Sequence, residues 1–400
     1  MANLRQLLIE VTDACNIQCK YCAYGELYAN FDKRNAKHQQ FSNVKLLIDH
    51  LADLWKSSYN TSFDKEIMIG FYGGEPLLNM RLIKETIEYV ESMKDVDVHF
   101  SYNMTTNGVL LDRYMDFLAD KQFKLLISLD GNETNSAYRV DKQGKTSFPK
   151  VFANIKQLQY RHAEYFDKKV NFNAVLHDRN SVEDIFSFIK QEFNKIPRVA
   201  ELSINGLSDR GKEELKHMFI SRYESFDKAS DNFKAQKDYQ FEESSSTFFH
   251  TFIRNFCGNY YNSYTELFNE ENASYIPTGT CQPFERKLFL TVNGKILPCE
   301  KMGQKHVLAS LNDGVLYLDY EKVGKYYHDL YEKVIKNCKS CFLQKACSQC
   351  MFLLEEQNDK LVCPGYLPKN KATEYFAQYL SFAEEHPHLY ESLMNNIAID

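Results

Sequence analysis

The chain has 400 residues, of which 44% are hydrophobic and 14% aromatic, so it is long enough for roughly two or three domains with their own cores. Its formal net charge of -6 gives no electrostatic reason to expect nucleic acid, and no apolar stretch approaches the roughly 18 residues of a membrane span. The first segment meets acidic residues too early for a signal peptide, so we expect a cytosolic globular protein with neither nucleic-acid nor membrane partners.

Up to about residue 206, short β-rich runs alternate with amphipathic stretches of helical period. This alternation with short connections predicts an α/β fold with a parallel sheet, in the form of an open or partly closed barrel. Six units are too few for a full eight-unit barrel. The predicted strands are RQLLIEVT, EIMIGFYG, VHFSYNMTT, FKLLISLD, VNFNAVL and VAELSING, and the predicted helices span 44–56, 81–94, 111–120, 151–160 and 182–193.

Beyond the barrel the composition changes twice. Residues 207–275 are polar and charged and include a Tyr/Phe-rich helical tract, which favours a helical connector or insertion rather than a second enzyme. From residue 276 the chain turns to short strands, turns and cysteines, and residues 371–394 have the pattern of an amphipathic helix. The predicted organisation is a barrel over 1–206, a connector over 207–275, a cysteine-rich domain over 276–368 and a C-terminal helix in 369–400.

Eleven cysteines form two groups separated by a long cysteine-free middle. Their number is odd, their spacing is tight, and the expected compartment is reducing, so metal binding explains them better than disulfides. The cysteines stand at positions 15, 19 and 22, then at 257, and then at 281, 299, 338, 341, 347, 350 and 363.

Cys15, Cys19 and Cys22 crowd into one loop directly after the first predicted strand. A tetrahedral zinc site or a complete iron-sulfur cube needs four ligands. Either a remote cysteine completes the set, as in a zinc or ferredoxin-type site, or the fourth position stays open for a substrate.

Polar or glycine-rich segments follow the next three predicted strands: GGEP at 73–76, TNG at 106–108 and SLDG at 128–131. Because the carboxyl ends of parallel strands meet at one edge of a sheet, these segments and the cysteine loop are expected to lie together. TNG alone is also typical of an ordinary turn, but the whole set favours an active site.

The pattern Cys-x3-Cys-x-aromatic-Cys after the first strand resembles the signature of the radical S-adenosylmethionine (SAM) enzymes, which have a partial (β/α)6 barrel. The resemblance implies that Cys15, Cys19 and Cys22 bind three irons of a [4Fe-4S] cluster. SAM would bind the fourth iron, and an electron from the cluster would release a 5'-deoxyadenosyl radical that abstracts a substrate hydrogen.

The same resemblance implies which residues contact the cofactor. The glycines of GGEP would allow close backbone approach, and the acidic side chain would face the methionine ammonium group. Arg139 suits a carboxylate because its planar fork binds one in a bidentate way, although a solvated surface Arg is the alternative. The implied cofactor-binding residues are Tyr21, Gly73, Gly74, Glu75, Ser128 and Arg139.

The order of the downstream cysteines resembles the SPASM extension of peptide-modifying radical enzymes, with one departure: Cys347 and Cys350 are separated by two residues instead of three. A zinc ribbon on the two Cys-x2-Cys pairs is the alternative. The resemblance implies one auxiliary cluster on Cys338, Cys341, Cys347 and Cys363, and a second on Cys281, Cys299 and Cys350. The second auxiliary cluster needs a fourth ligand: Cys257 either supplies it or leaves that position open for a substrate, and Cys257 would then be a buried free thiol.

Glu300 directly follows Cys299, where its carboxylate could take a substrate proton as general base. Sulfatase-maturing relatives have an aspartate at the matching place, and a solvated surface Glu is the alternative.

The leading hypothesis from the sequence is a radical SAM maturase of the SPASM type that crosslinks a ribosomal precursor peptide through a thioether or carbon-carbon bond. A formylglycine-generating sulfatase maturase is the alternative among enzymes, and an iron-sulfur electron-transfer protein or zinc-binding adaptor is the alternative of another class. Expected partners are the precursor peptide with its leader and a small electron donor such as flavodoxin or ferredoxin. The leader is expected to dock on a sheet edge, on the connector or on a partner protein.

Overall fold

The computed structural model divides the chain into two compact units, which are described in turn: Met1–Ala229 with Gln282–Tyr320, and Ser230–Cys281 with Glu321–Asp400. It describes residues 1–22, 24, 27–62, 65–203, 206–234, 249, 252–253, 256, 278–344, 347, 349–357, 360–385, 387 and 390–391.

The first unit is built on one ten-stranded sheet whose central part is parallel and runs in chain order. All six predicted strands are present, so the predicted α/β barrel is confirmed. The parallel strands are β1 (Gln6–Thr12), β2 (Glu66–Gly73), β3 (His99–Thr106), β4 (Lys124–Ser128), β5 (Val170–Leu176) and β6 (Arg198–Glu201).

Helices connect these strands and cover the sheet with amphipathic faces. In the first helix Val44, Leu47, Ile48 and Leu51 recur at helical spacing and are all buried. The five predicted helices are found within three residues at every end. The helices are α1 (Phe41–Trp55), α2 (Met80–Glu91), α3 (Leu111–Asp120), α4 (Phe148–Arg161), α5 (Ala163–Lys169), α6 (Val182–Phe193), α7 (Asp209–Lys216) and α8 (Arg222–Asp227), and a 3-10 turn spans Pro76–Asn79.

Four strands from the cysteine-rich part of the sequence extend this same sheet. The first of them pairs in parallel with β1, with Leu288 opposite Leu7 and Leu290 opposite Ile9. Residues 282–320 therefore belong to the barrel unit, although the sequence grouped them with the later cysteines. The extension consists of β7 (Leu288–Leu290), β8 (Lys295–Leu297), β9 (Ala309–Asn312) and β10 (Val315–Leu318).

The second unit contains two longer helices, several short elements and a cluster of aromatic rings. Phe252 stacks on Tyr379 with ring centroids 4.6 Å apart, and Phe249 lies 5.4 Å from Phe382. The aromatic stripe of the C-terminal helix therefore packs against the Tyr/Phe-rich tract. The elements are α9 (Asp231–Lys234), α10 (Tyr320–Ser340, starting at the last residue of the first unit), β11 (Glu355–Gln357), β12 (Lys360–Val362), α11 (Ala372–Glu385) and 3-10 turns at Met351–Leu353 and Lys369–Lys371.

Within the described ranges, no helix is both long and apolar enough to cross a membrane.

The contact between β7 and β1 can be tested through Phe289, which is 1% exposed and packs with Leu8 and Leu297. We expect Phe289→Ala to lower the free energy of unfolding by about 3–5 kcal/mol, because a large buried ring leaves a cavity. Urea denaturation followed by circular dichroism measures this loss. Val315→Ala on the outer strand, where the side chain is 47% exposed, should change stability by less than about 0.5 kcal/mol. Equal effects of the two substitutions would contradict the proposed packing.

Candidate active site at the carboxyl ends of the strands

The loop that carries Cys15, Cys19 and Cys22 is held by the segment that follows β4. The Gln18 amide donates to the Val140 carbonyl at 2.6 Å, and the Lys20 amide donates to the Tyr138 carbonyl at 3.0 Å. Because these bonds involve the backbone, they set the path of the loop without constraining its side chains. The cysteine loop and the segment after β4 therefore lie together, as the sequence predicted.

The glycines of GGEP lie directly against the backbone of the cysteine loop. A Cβ added to Gly74 would lie 2.0 Å from the Ala14 carbonyl oxygen, and one added to Gly73 would lie 2.0 Å from the Thr12 carbonyl oxygen. Gly73 also has φ of 131°, which side chains rarely allow. The sequence predicted that these glycines let the backbone approach a cofactor. In the structure they let it approach the backbone of the cysteine loop.

Glu75 is fully buried, and its carboxylate accepts three hydrogen bonds from the protein. Oε1 accepts from the Leu77 amide at 3.1 Å and from the Thr106 hydroxyl at 2.7 Å, and Oε2 accepts from the Asn107 amide at 2.7 Å. Burial raises the pKa of Glu75 to about 7, while these donors lower it. The side chain therefore joins the ends of β2 and β3, and its predicted contact with a methionine ammonium group stays a prediction.

Asp130 of SLDG is the centre of a buried polar network. It accepts hydrogen bonds from the Tyr21 hydroxyl, from Arg139 Nε at 3.1 Å and from the Val175 amide at 3.0 Å, and His177 Nε2 lies 3.7 Å away. Burial alone would raise the pKa of Asp130, but Arg139 and these donors lower it below its ordinary value. Asp130 is therefore an anion that ties the cysteine loop to the region around β4 and β5.

Three residues predicted to contact the cofactor have other neighbours in the structure. Arg139 is 7% exposed and paired with Asp130, so it is not a solvated surface Arg. Tyr21 is buried with its ring 5.6 Å from His177. Ser128 ends β4 and is half-buried opposite Asn173. Their contacts with SAM stay predictions.

Each cysteine of the loop has one side-chain N–H donor near its sulfur. Asn107 Nδ2 lies 3.7 Å from Cys15 Sγ, and Arg139 Nη1 lies 3.7 Å from Cys19 Sγ. The third donor, Arg34 Nη2, lies 3.8 Å from the Sγ atom at position 22. Hydrogen bonds to ligating sulfur orient the ligand and adjust the properties of its metal.

These thiols fit an iron-sulfur cluster. Burial raises the pKa of Cys15 and raises that of Cys19 to about 12, so a thiolate needs a cation beside it to be stable. Among the described residues, no three His, Cys, Asp or Glu side chains are grouped to hold a single ion. A cube does not require such convergence, because each cysteine binds its own iron.

Glu300 forms an ion pair within the first unit. Its carboxylate accepts from Lys287 Nζ at 2.8 and 3.0 Å, and both side chains are largely buried, so it is not a solvated surface residue. Burial and the Glu300 carboxylate raise the pKa of Tyr72 on β2. The predicted base therefore lies near the end of β2, and its catalytic role stays a prediction.

Glu10 joins β1 to the turn after β7. It is 2% exposed, its Oε2 accepts from the Val292 amide at 2.9 Å, and burial raises its pKa to about 7. The hydrogen bond from the Val292 amide and the charge of Arg34 lower this pKa, whereas the Asp13 and Asp32 carboxylates raise it. Glu10 is therefore a buried acid that the sequence analysis did not identify.

The later cysteines of the second unit fall into two neighbourhoods. Burial, followed by the thiols of Cys347, Cys363 and Cys341, raises the pKa of Cys338. Burial also raises the pKa of Cys350, and the thiol of Cys281 raises it further by a smaller amount.

This grouping follows the interleaved order implied by the sequence, but ligation stays a prediction. Cys299 lies in the first unit, and Cys257 lies outside the described residues.

Besides Glu10, sequence reasoning missed three residues that contact the cysteine loop: Asp130, Asn107 and Arg34. The first two belong to SLDG and TNG, which were recognised as segments without these side chains being selected. Arg34 has no motif around it, and only its contact with Cys22 identifies it.

Comparison with known proteins gives a family match for the barrel. The model of the radical SAM superfamily matches residues 9–191, which run from β1 into α6. These residues therefore form a radical SAM domain, and the predicted cofactors, SAM with an iron-sulfur cluster, are those of this superfamily. The number of auxiliary clusters stays a prediction.

Relatives and solved structures give a consistent result. The cysteine-type anaerobic sulfatase-maturating enzyme of Clostridium novyi is 29% identical over 196 residues, which cover 48% of this chain and 49% of that enzyme. The radical SAM cyclopropyl synthase of Paramaledivibacter caminithermalis is 22% identical over 231 residues, or 55% of this chain and 46% of that enzyme. The chain thus spans about half the length of these curated relatives.

The fold of native anSMEcpe with bound AdoMet matches with a TM-score of 0.62 and 18% identity, covering 98% of this chain and all of the other (100%). The likeness confirms the predicted fold class, an α/β partial barrel with a parallel sheet, followed by a cysteine-rich C-terminal region.

Substitution of Gly74 tests the contact between GGEP and the cysteine loop. We expect Gly74→Ala to displace the Ala14 carbonyl, to cost about 1–3 kcal/mol of stability as overpacking does, and to lower the iron bound per chain after anaerobic reconstitution. Iron analysis and thermal denaturation measure both effects. Gly324→Ala is the control, because Gly324 is helical and an added Cβ meets nothing within 4 Å. Parent-like iron content in Gly74→Ala would contradict the structural role.

The raised pKa of Glu10 predicts a pH-dependent effect of Glu10→Gln. Between pH 4.5 and about 7 the folded protein keeps a proton on Glu10 that the unfolded chain has lost, so this contribution to stability is lost as pH rises through 7. The neutral variant should therefore gain stability relative to the parent as pH rises from 5 to 8, by up to about 3 kcal/mol at 1.36 kcal/mol per pKa unit. Urea denaturation across this range measures the gain, with exposed Glu133→Gln as control. If the difference in stability between variant and parent did not change from pH 5 to 8, Glu10 would be ionised in the folded protein over this whole range.

Proposed function

We propose that this protein is a radical SAM enzyme of the SPASM type that modifies a ribosomally made peptide by forming a thioether or carbon-carbon crosslink. The arrangement that supports the proposal best is the cysteine loop after β1, with one N–H donor near each sulfur and the backbone of Gly73 and Gly74 packed beneath it.

When bound, the cluster and SAM supply an electron and a 5'-deoxyadenosyl radical that removes a hydrogen atom from the substrate. The protein contributes position and electrostatics. Asp130 holds Arg139 and Tyr21 beside the cysteine loop, and Glu75 holds the ends of β2 and β3 together. These hydrogen bonds fix the groups relative to one another, so this edge of the barrel is pre-organised.

Glu300 is the residue that we propose to take the substrate proton. Its ion pair with Lys287 orients the carboxylate near the end of β2. A carboxylate in this position can act as general base only if the substrate reaches it, and the 14% exposed part of the side chain leaves that access.

A sulfatase-maturase-like dehydrogenase is the second candidate, and similarity favours it. The match to the Clostridium novyi enzyme covers 48% of the chain, and the fold likeness to anSMEcpe covers 98% of it. Among the compared proteins, the cyclopropyl synthase instead supports bond formation. The two candidates share the radical site and differ in what happens after hydrogen abstraction.

The proposed partners are a precursor peptide with a leader segment and a one-electron donor of the flavodoxin or ferredoxin type. The proposed auxiliary clusters would carry electrons between the substrate and that donor. We also propose a cytosolic location, where thiols stay reduced.

Formation of 5'-deoxyadenosine tests the radical reaction. The full chain is reconstituted and reduced anaerobically, SAM is added, and the product is measured by liquid chromatography with mass spectrometry. We expect product from the parent and none from a triple Cys15→Ala, Cys19→Ala and Cys22→Ala variant. A fully iron-loaded parent that makes no 5'-deoxyadenosine, with or without peptides, would favour the electron-transfer or adaptor alternative.

Peptide products then separate the two enzymatic candidates. If the protein forms crosslinks, precursor peptides encoded near the gene should lose two hydrogens, and the crosslink should survive tryptic digestion. If the protein is a dehydrogenase, a sulfatase-derived peptide with Cys or Ser should yield an aldehyde.

A further inference from the structure

Arg34 contacts a sulfur of the cysteine loop, although no motif marks it. Its Nη2 lies 3.8 Å from Cys22 Sγ, and its guanidinium carbon lies 4.9 Å from the centre of the Tyr24 ring. The Nε atom is buried and has no hydrogen-bond partner among the described residues. The guanidinium group is thus held between an aromatic face and a sulfur atom instead of extending into water.

The backbone around Arg34 is fixed by the residue that leads into the cysteine loop. The Asp13 carboxylate accepts from the Asn35 amide at 2.9 Å and from the Lys37 amide at 2.6 Å, and the Asp13 amide donates to the Lys37 carbonyl at 3.1 Å. Asp13 precedes Cys15 by two positions. The same short stretch of chain therefore sets both the cysteines and the guanidinium.

Arg34 differs in charge from the other two donors to the loop sulfurs. Asn107 is neutral, and the charge of Arg139 is balanced by its ion pair with Asp130. Within the described residues Arg34 forms no ion pair, and it interacts with the Glu10 carboxylate only at longer range, where it lowers the pKa of Glu10. Arg34 therefore brings to the cysteine loop a positive charge that no ion pair among the described residues balances.

We propose that Arg34 is a positioning residue that raises the reduction potential of the cluster held by Cys15, Cys19 and Cys22. The reduced cluster carries one more negative charge than the oxidised one, so an N–H donor and a cation beside a ligating sulfur stabilise it preferentially. The step is a one-electron transfer from an external low-potential donor, with no bond or proton exchanged. The inference rests on the proposed function for this cluster and is independent of the peptide substrate.

A potentiometric titration of the reconstituted full chain tests this role. Dithionite is the reductant, and electron paramagnetic resonance follows the signal that changes when SAM is added, which assigns that signal to the cluster with an open iron. We expect Arg34→Met to lower the ratio of reduced to oxidised cluster about tenfold at a fixed potential, equivalent to about 59 mV for one electron.

Two further substitutions separate the contributions of the hydrogen bond and the charge. Arg34→Gln keeps an N–H donor without the charge, and Arg34→Lys keeps the charge without the planar fork, so each should show a smaller shift in the same direction. Lys33→Met removes a charge from the exposed neighbouring position. Its cluster should have the same midpoint potential as that of the parent.

Three results would overturn the inference. The first is a parent-like midpoint in both Arg34→Met and Arg34→Gln; if Arg34→Met binds too little iron, Arg34→Gln decides alone. The second is an equal shift in Lys33→Met, because the effect would then come from the net charge of the loop. The third is a parent without any SAM-sensitive signal, which would also refute the proposed function, whereas the first two leave that function intact.

Discussion

The active-site edge depends on one buried carboxylate, that of Asp130. A charged group without solvent is stable only when it is paired and hydrogen-bonded, and Asp130 meets this requirement through partners from different parts of the chain. Tyr21 comes from the cysteine loop, Arg139 from the segment after β4, and Val175 from β5. Removing one partner leaves a buried anion uncompensated, so the anion fixes the positions of all three segments. The place of the cysteines relative to Arg139 is a consequence of this constraint.

β1 is the second element on which the site depends, because it has neighbours on both sides. It pairs with β2 along six residue pairs and with β7 along three, and the buried Glu10 carboxylate joins it to the turn after β7. A strand held on both sides is a rigid base for the loop at its end, and catalytic geometry requires such support. The β7–β10 extension therefore supports the cysteine loop at the end of β1 as well as carrying Cys299.

The local pattern of apolar residues was sufficient to predict the strands and helices of the barrel. The sequence placed α6 at 182–193 and β5 at 170–176, which are the observed bounds, because apolar residues recur there at the periods of a helix and a strand. It also placed GGEP and the cysteine loop at one edge. It did not show that the Glu75 carboxylate is already satisfied by the protein, or that residues 282–320 continue the barrel sheet, because short apolar runs do not specify which strand they pair with.

The sequence by itself determined the order of strands and helices, the cysteine loop after β1 and the cofactors of a radical SAM domain. The order of the elements and the place of the loop follow from local periodicity, whereas the cofactors follow from the resemblance of the cysteine pattern to the radical SAM signature. Only the tertiary structure decided the partners of the buried charges: Tyr21 and Asp130 are 109 residues apart, and Glu10 and Val292 are 282 apart. The physical reason is that such bonds arise from the packing of distant segments, and their energy depends on burial that no local pattern reveals. Arg34 shows the same limit at short range, since only folding brings its guanidinium to Cys22.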